Sequence, residues 1–325
     1  MKFLRLNTTD PYYNLAVEEY LFCHESDDVF MLWQNEPTVV IGKNQNAYAE
    51  VNMDYVERNG IHIARRLTGG GAVYHDHGNL NYTFISAKNS DTSINFARFT
   101  APIIEALASV GVHAMLSGRN DLTVDEKKIS GNAQHSANGK TLHHGTLLFE
   151  SDLDVLSYAL HVDEEKLRAR AIRSTRSRVT NLKPLMPQIA DVNVFSSLIS
   201  HYVMQKYAPL EIEPPMNAEI EALRARNASH EWIFPERELV SHYSVIRKQR
   251  YPFGGVEISL DMCNDIIRDI RIRGDFFSLL PIEELESLLQ GKSMDVVEKT
   301  LISVDVDSYI CGMTCEMLTA QLRSE

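Results

Sequence analysis

The spacing of apolar and polar positions divides the chain into a long mixed strand-and-helix part and a shorter tail of different pattern. Thr9-Asp10-Pro11 offers a capping side chain followed by a proline whose missing N–H costs nothing at a helix start, so a helix is expected from there through Leu15, Leu21 and Phe22 to about Ser26. Val29–Trp33 and Thr38–Ile41 read as strands around an Asn35-Glu36-Pro37 turn. Gly42-Lys43-Asn44-Gln45-Asn46 is too rich in donors and acceptors for a core and is expected as a surface loop, with a site wall as the alternative. Residues 61–64 and 81–85 are further strand-like runs. Apolar residues at helical spacing predict a helix over 94–110, followed by a polar turn at 117–122. Strands are expected over 127–133 and 141–150, joined by a polar loop at 134–140. Neighbouring strand residues face opposite sides, so only one of Lys127 and Lys128 can point at a shared site. Helices are then expected over 154–161, 164–172 and 189–207, and, after the Pro214-Pro215 break, over 218–226. Past about Arg247 a hairpin of 255–262 and 266–273 precedes two amphipathic helices, Ile282–Leu289 and 294–301, which predicts a small C-terminal α+β domain.

Composition narrows the function classes. At 325 residues the chain can bury a full core and more. With 32 Lys and Arg against 44 Asp and Glu, the formal net charge of −12 argues against a nucleic-acid binder and gives no reason to expect an anionic membrane surface as partner. Cys23, Cys263, Cys311 and Cys315 lack paired zinc-type spacing and read as reduced cytosolic thiols. No signal-peptide-like stretch opens the sequence, and its most apolar window, 101–112, is interrupted by Glu105. A cytoplasmic protein with no membrane partner is expected.

The stretch richest in chemistry is Arg65-Arg66-Leu67-Thr68-Gly69-Gly70-Gly71-Ala72-Val73-Tyr74-His75-Asp76. Three glycines free the backbone to approach a ligand, two arginines precede them, and the loop is expected to join two strands, an arrangement suited to an anion. The spacing is neither that of a P-loop nor that of a dinucleotide fingerprint. On these residues alone, anion binding and a glycine-rich hairpin connection with solvated arginines both stand. Lys166, Arg168, Arg170, Arg173, Arg176 and Arg178 form the locally basic run of an acidic chain, either a solvated face or part of a site.

Taken with Asn120-Asp121, Lys128-Ile129-Ser130-Gly131 and His143-His144-Gly145-Thr146, the glycine loop closely resembles that of the lipoate-protein ligase family. The resemblance extends from Asn14-Leu15-Ala16 and Glu18-Glu19, through Gly42 to Asn46, to Arg176-Ser177-Arg178-Val179-Thr180-Asn181-Leu182, and the tail after Gly254 looks like the family's accessory domain. It implies an α/β (α+β) large domain of the biotin/lipoate ligase type over 1–246 and a small α+β accessory domain over 247–325. It also implies activation of lipoate with ATP to lipoyl-AMP, then transfer of the lipoyl group to a lysine of a lipoyl domain. The implied partners are acyltransferase subunits of 2-oxoacid dehydrogenases and glycine-cleavage H protein.

By the same resemblance, Lys128 would be the catalytic cation between the lipoate carboxylate and the α-phosphate. Arg66, Gly71, Ala72, Val73, Tyr74, Asn120 and Asp121, together with Lys128, would hold the nucleotide. Arg65, Gly69, Gly70, Gly71, His75, His144 and Gly145, again with Lys128, would hold lipoate, and His143 would join them along its tunnel. Mg²⁺ is implied with the nucleotide phosphates, its ligands unassigned. A carboxylate attacking a phosphate brings two anions together, so positive charge and N–H donors are chemically required. The mixed anhydride must be kept from water, and residues 134–140 and 168–178 are the expected cover.

Four readings compete. An octanoyl transferase of the same fold needs a thiol at the site, but no cysteine lies between Cys23 and Cys263. A biotin ligase would interleave arginines with the glycines, whereas here both precede them. A transferase restricted to preformed lipoyl-AMP, or a non-catalytic binder, is disfavoured by the presence of the tail and of Lys128.

Overall fold

The computed structural model describes residues 1–88, 93–160, 179–235 and 243–324. Its strands are β1 (Lys2–Arg5), β2 (Val29–Trp33), β3 (Thr38–Ile41), β4 (His62–Arg65), β5 (Val73–His75), β6 (Asn79–Ser86), β7 (Met115–Ser117), β8 (Asp121–Val124), β9 (Lys127–Ala137), β10 (Lys140–Leu148), β11 (Leu210–Glu211), β12 (Val245–Tyr251), β13 (Gly254–Cys263) and β14 (Ile266–Gly274). Among the described residues these form a large mixed sheet in the order β11-β1-β2-β6-β10-β9-β8-β7 and two three-stranded sheets, β4-β3-β5 and β12-β13-β14.

The large sheet is buried on both faces, and the period of two in its strands sorts the side chains between two cores. Phe3, Phe30, Leu32, Leu80, Tyr82 and Phe84 face the helices Phe96–Ala108 and Val192–Tyr207. Leu4, Val29, Met31, Trp33 and Ile85 face the helix Pro11–His24, which Asp10 caps by accepting from the Tyr12 and Tyr13 N–H groups. Ile220 brings the helix Ala218–Asn227 onto that same core.

Strand β3 pairs in parallel with β4 on one side and antiparallel with β5 on the other. The glycine run therefore crosses over the end of β3, and the hairpin alternative is corrected. The small domain has its own core, in which β13 and β14 pack on the helices Ile282–Leu289, Met294–Ile302 and Cys315–Arg323. Strand β12 adds an edge that the sequence reading did not mark, because its middle, Arg247–Arg250, is a polar run without apolar alternation.

Three other expectations change. The loop expected at 134–140 is mostly strand: β9 runs to Ala137, and Asn138-Gly139 turn the chain with φ of +53° and +70°, the geometry a two-residue hairpin turn needs. The polar turn at 117–122 instead contributes its ends to β7 and β8, and Asp125-Glu126, at φ +49° and +63°, make the next tight turn. The Gly42–Asn46 segment is not a surface loop, since Asn44 and Gln45 are buried. The helix expected at 164–172 and the basic run from Lys166 to Arg178 lie outside the described residues.

Candidate functional site

Arg65 ends β4 and Arg66 follows it directly, and in extended backbone the two side chains point apart. Arg65 is buried with its guanidinium donating to the carbonyls of Gly42 (3.3 Å), Lys43 (3.1 Å), Gln45 (2.7 Å), Trp232 (3.1 Å) and Ile233 (2.6 Å). It fastens the 42–46 segment to the chain around Trp232 and does not line the cavity. Arg66 does line it, yet donates to the Val40, Gly69 and Gly71 carbonyls and to Thr68 Oγ1, which holds the glycine loop from inside. Burial lowers its pKa to about 10, so it stays charged at neutral pH.

The three glycines divide in use. A Cβ on Gly69 would overlap the Phe276 carbonyl oxygen, and one on Gly70, where φ is +89°, would sit 3.0 Å from the Phe277 ring. The Gly70 N–H donates to the Phe276 carbonyl (3.1 Å). Gly69 and Gly70 thus accommodate the small domain, and Gly71 is the member that lines the cavity. Segment 274–278 is further joined to the large domain by Gly274 N–H to the Asn44 carbonyl (2.9 Å) and Asn44 Nδ2 to Ser278 Oγ (3.2 Å).

The cavity, of about 230 Å³, has two characters. Its inner end is formed by buried Leu15, Trp33, Val40, His75 and His144. Its mouth carries half-buried Arg119, Asn120, Asp121, Lys128 and Asp275. Lys128 Nζ lies 2.8 Å from Asp121, each side chain about a third exposed. The register between β8 and β9 shifts at Leu122/Thr123, a bulge that re-aims the lysine across Gly131, where a Cβ would come within 2.9 Å of Nζ. Lys127 faces solvent. Asn120 is pinned by Nδ2 donating to the Asn132 carbonyl (2.6 Å) and by its own carbonyl accepting from Asn132 N–H (2.9 Å).

A chain of polar contacts runs beneath the inner end. Trp33 Nε1 donates to Thr83 Oγ1 (3.0 Å), which donates to Glu18 Oε1 (2.6 Å). His144 Nδ1 lies 3.0 Å from the same oxygen, and its Nε2 is 2.8 Å from Thr68 Oγ1. Glu18 accepts only, so His144 carries its proton on Nδ1 and accepts from Thr68. His75 has the opposite tautomer: Asn35 Nδ2 donates to its Nδ1 (3.1 Å), leaving an Nε2–H that has no partner among the described residues. Burial, then Arg66 and His144, push its pKa down to about 3, so it is a neutral donor.

Of the other sequence candidates, Ala72, Val73 and Gly145 line the cavity. The Tyr74 side chain points away, into the core around Val39 and Ile41, which raises its pKa to about 12 by burial. His143 also turns away, stacked on Phe99 at 5.1 Å, and is corrected from the tunnel wall to the core. Sequence reasoning gave no role to Trp33, Asn81, Arg119, Asn132 or Asp275. Arg119 stood beside the Asn120-Asp121 pair and was within reach, whereas nothing local marks Asp275. Among the described residues no cluster of His, Cys, Asp or Glu could hold a metal by itself, and no helix is long and apolar enough to cross a membrane.

Comparison with known proteins covers both parts of the chain. The family description "Lipoyl protein ligase A/B catalytic domain" matches residues 10–203, and "Bacterial lipoate protein ligase C-terminus" matches 241–322. Lipoate-protein ligase LplJ of Bacillus subtilis (strain 168) is 38% identical over 322 residues, 95% of this chain and 96% of that protein. The crystal structure of P. falciparum LipL1 in complex with lipoate superposes with a TM-score of 0.78 at 25% identity, covering 94% of this chain and 95% of that one. A lipoate-protein ligase A bound with ATP matches with a TM-score of 0.62 at 27% identity, over 72% of this chain and 98% of its own.

Proposed function

The chain belongs to the lipoate-protein ligase family, and from that premise we propose that it joins lipoate to protein in two steps, forming lipoyl-AMP from lipoate and ATP and then passing the lipoyl group to an acceptor lysine. The observation that carries this reading is the polarity of the single cavity the candidates share. Its buried inner end, where Leu15, Trp33 and Val40 stand with His75 and His144, suits the dithiolane and alkyl chain, and its charged mouth suits a nucleotide.

In this reading the Lys128 ammonium stands where the carboxylate meets the α-phosphate, stabilises the charge that develops as the oxygen attacks, and lets pyrophosphate depart. Asp121 holds the ammonium at the mouth beforehand, 2.8 Å away. Arg66 keeps Gly71 and the backbone of Ala72, Val73 and Tyr74 in the conformation that faces the nucleotide. His75 Nε2–H offers a fixed polar contact along the acyl chain and His144, both of its nitrogens engaged, presents only its ring face, while Asn35 and Glu18 set the two tautomers. Arg65, Gly69 and Gly70 support the loop rather than touch lipoate. Mg²⁺ prefers oxygen ligands and commonly uses one or two carboxylates plus phosphates, so Asp121 is the large-domain residue that fits it. Acceptors would be lipoyl domains of 2-oxoacid dehydrogenase acyltransferases and glycine-cleavage H protein, in the cytoplasm. The second family match over 241–322 favours the complete two-step enzyme over a transferase that depends on preformed lipoyl-AMP.

Intact-mass assay of a lipoyl domain and an H protein, given either lipoate plus ATP or synthetic lipoyl-AMP, tests the reading. Wild type should modify an acceptor from both donors, and Lys128→Ala should lose about 10²-fold or more in rate with lipoate plus ATP. Its stability should change by less than about 1 kcal/mol, because a half-exposed ion pair contributes little. Wild type that works only from lipoyl-AMP would remove the adenylation step.

A further inference from the structure

Among the described residues three cations line the cavity, and two are committed elsewhere. Arg66 directs its donors to Val40, Thr68, Gly69 and Gly71, and Lys128 is paired with Asp121. Arg119, on the turn between β7 and β8, is different. Among the described residues it makes one hydrogen bond, from Nη2 to the Asp275 carbonyl (3.2 Å), and its guanidinium lies over the Phe277 ring at 4.5 Å. A guanidinium has five N–H donors in a fork that matches phosphate oxygens, so most of this one's capacity is unspent.

Both of its present contacts come from the small domain. The same segment places the Asp275 carboxylate at the mouth, held by the Gly255 N–H and 3.5 Å from Arg250. An incoming polyanion would be drawn to Arg119 and repelled by Asp275. The cavity's volume of about 230 Å³ is small beside the roughly 300–1,000 Å³ of typical ligand pockets, and segment 274–278, which supplies Asp275 to its wall, limits the room at the mouth.

We propose that Arg119 binds the β- and γ-phosphates of the nucleotide, and that Asp275 and Phe277 occupy the same guanidinium when the nucleotide is absent, so that triphosphate binding and small-domain docking compete for one residue. The inference rests on the ligase reading above. It makes Arg119 a residue of the first half-reaction only, since lipoyl-AMP no longer carries those phosphates. By linkage the nucleotide should weaken docking by the factor by which docking weakens the nucleotide, so loosening the Phe277 contact should tighten nucleotide binding.

The test uses the full chain with Arg119→Ala, Arg119→Lys and Phe277→Ala. Lipoate-dependent ATP–pyrophosphate exchange reports the first half-reaction, and transfer from synthetic lipoyl-AMP to a lipoyl domain reports the second. Arg119→Ala should raise the KM for ATP roughly 10- to 100-fold, the effect of losing charge-assisted hydrogen bonds, and leave transfer from lipoyl-AMP within about twofold. Arg119→Lys should fall between, because it keeps the charge and loses the fork. Phe277→Ala should lower the KM for ATP. An unchanged KM in Arg119→Ala, or an equal loss in both half-reactions, would overturn the assignment, and an unchanged or raised KM in Phe277→Ala would overturn the competition. A wild type without exchange would instead defeat the ligase reading; equilibrium binding of a non-hydrolysable ATP analogue to wild type and Arg119→Ala still decides the phosphate contact, equal affinities refuting it.

Discussion

Gly69→Ala separates the packing of the glycine run from its chemistry. The φ of Gly69 is not in the left-handed region, so alanine adds no backbone strain there. The new Cβ would overlap the Phe276 carbonyl oxygen and lie 3.1 Å from Phe277 Cα, and because both atoms are backbone no rotamer change relieves the clash. Withdrawal of segment 274–278 also breaks the 3.1 Å bond from Gly70 N–H to the Phe276 carbonyl. Overpacking at about 1–3 kcal/mol and one hydrogen bond at about 1 kcal/mol together weaken docking by about 2–4 kcal/mol. That is roughly 30- to 1,000-fold in the docking equilibrium. Each domain keeps its own core, so the variant should unfold at nearly the wild-type denaturant midpoint. Hydrogen exchange read by mass spectrometry should show faster exchange in peptides covering 66–72 and 274–278, with β6 and β13 unchanged. Gly71→Ala is the control, since the nearest atom to its Cβ is Asp275 Cβ at 3.9 Å and alanine fits. If Gly69→Ala leaves both segments protected as in wild type, the glycine is not there for the small domain and the reasoning is wrong.

Two further outcomes follow from buried groups. Arg65→Lys replaces a fork that reaches five carbonyls with an ammonium of three donors, and should cost about 2–4 kcal/mol in urea unfolding; a loss under about 1 kcal/mol would show that the 42–46 segment does not depend on it. Burial holds His75 at about 3, His135 at about 4 and His143 well below the ordinary 6.5, so the unfolded chain binds more protons than the folded one between those values. Stability should therefore be full above about pH 6.5 and fall as the pH drops toward about 4, and His143→Phe should flatten that fall; guanidinium midpoints that do not move across the window would contradict it.

Much of this architecture is legible before any coordinates. Asp10-Pro11 starts a helix by local capping, and the short apolar run Val29–Trp33, followed by the Asn35-Glu36-Pro37 turn, marks a strand. The adjacent pair His143-His144 diverges as strand geometry requires, one ring on Phe99 and the other on Glu18. These are properties of neighbours in the chain, set by periods of two and of 3.6. The cluster of Arg66, Gly71, Asn120, Asp121, Lys128 and His144 was equally visible as a motif set, because its members keep recognisable local contexts.

What the sequence could not determine depends on pairs far apart in it. Arg65 and Arg66 both read as ligand-binding, one toward lipoate and one toward the nucleotide, and only the carbonyls around Gly42 and Trp232 decide that Arg65 is structural. Gly69 and Gly70 read as room for a ligand, but the Phe276–Phe277 segment fills that room. Asp275 reaches the mouth of the cavity because β14 ends against the glycine loop, and no period or motif around it says so. Local sequence sets backbone conformation and which face a side chain takes. Which partner meets that face is set by how the two cores dock, a long-range free energy that neither segment encodes alone.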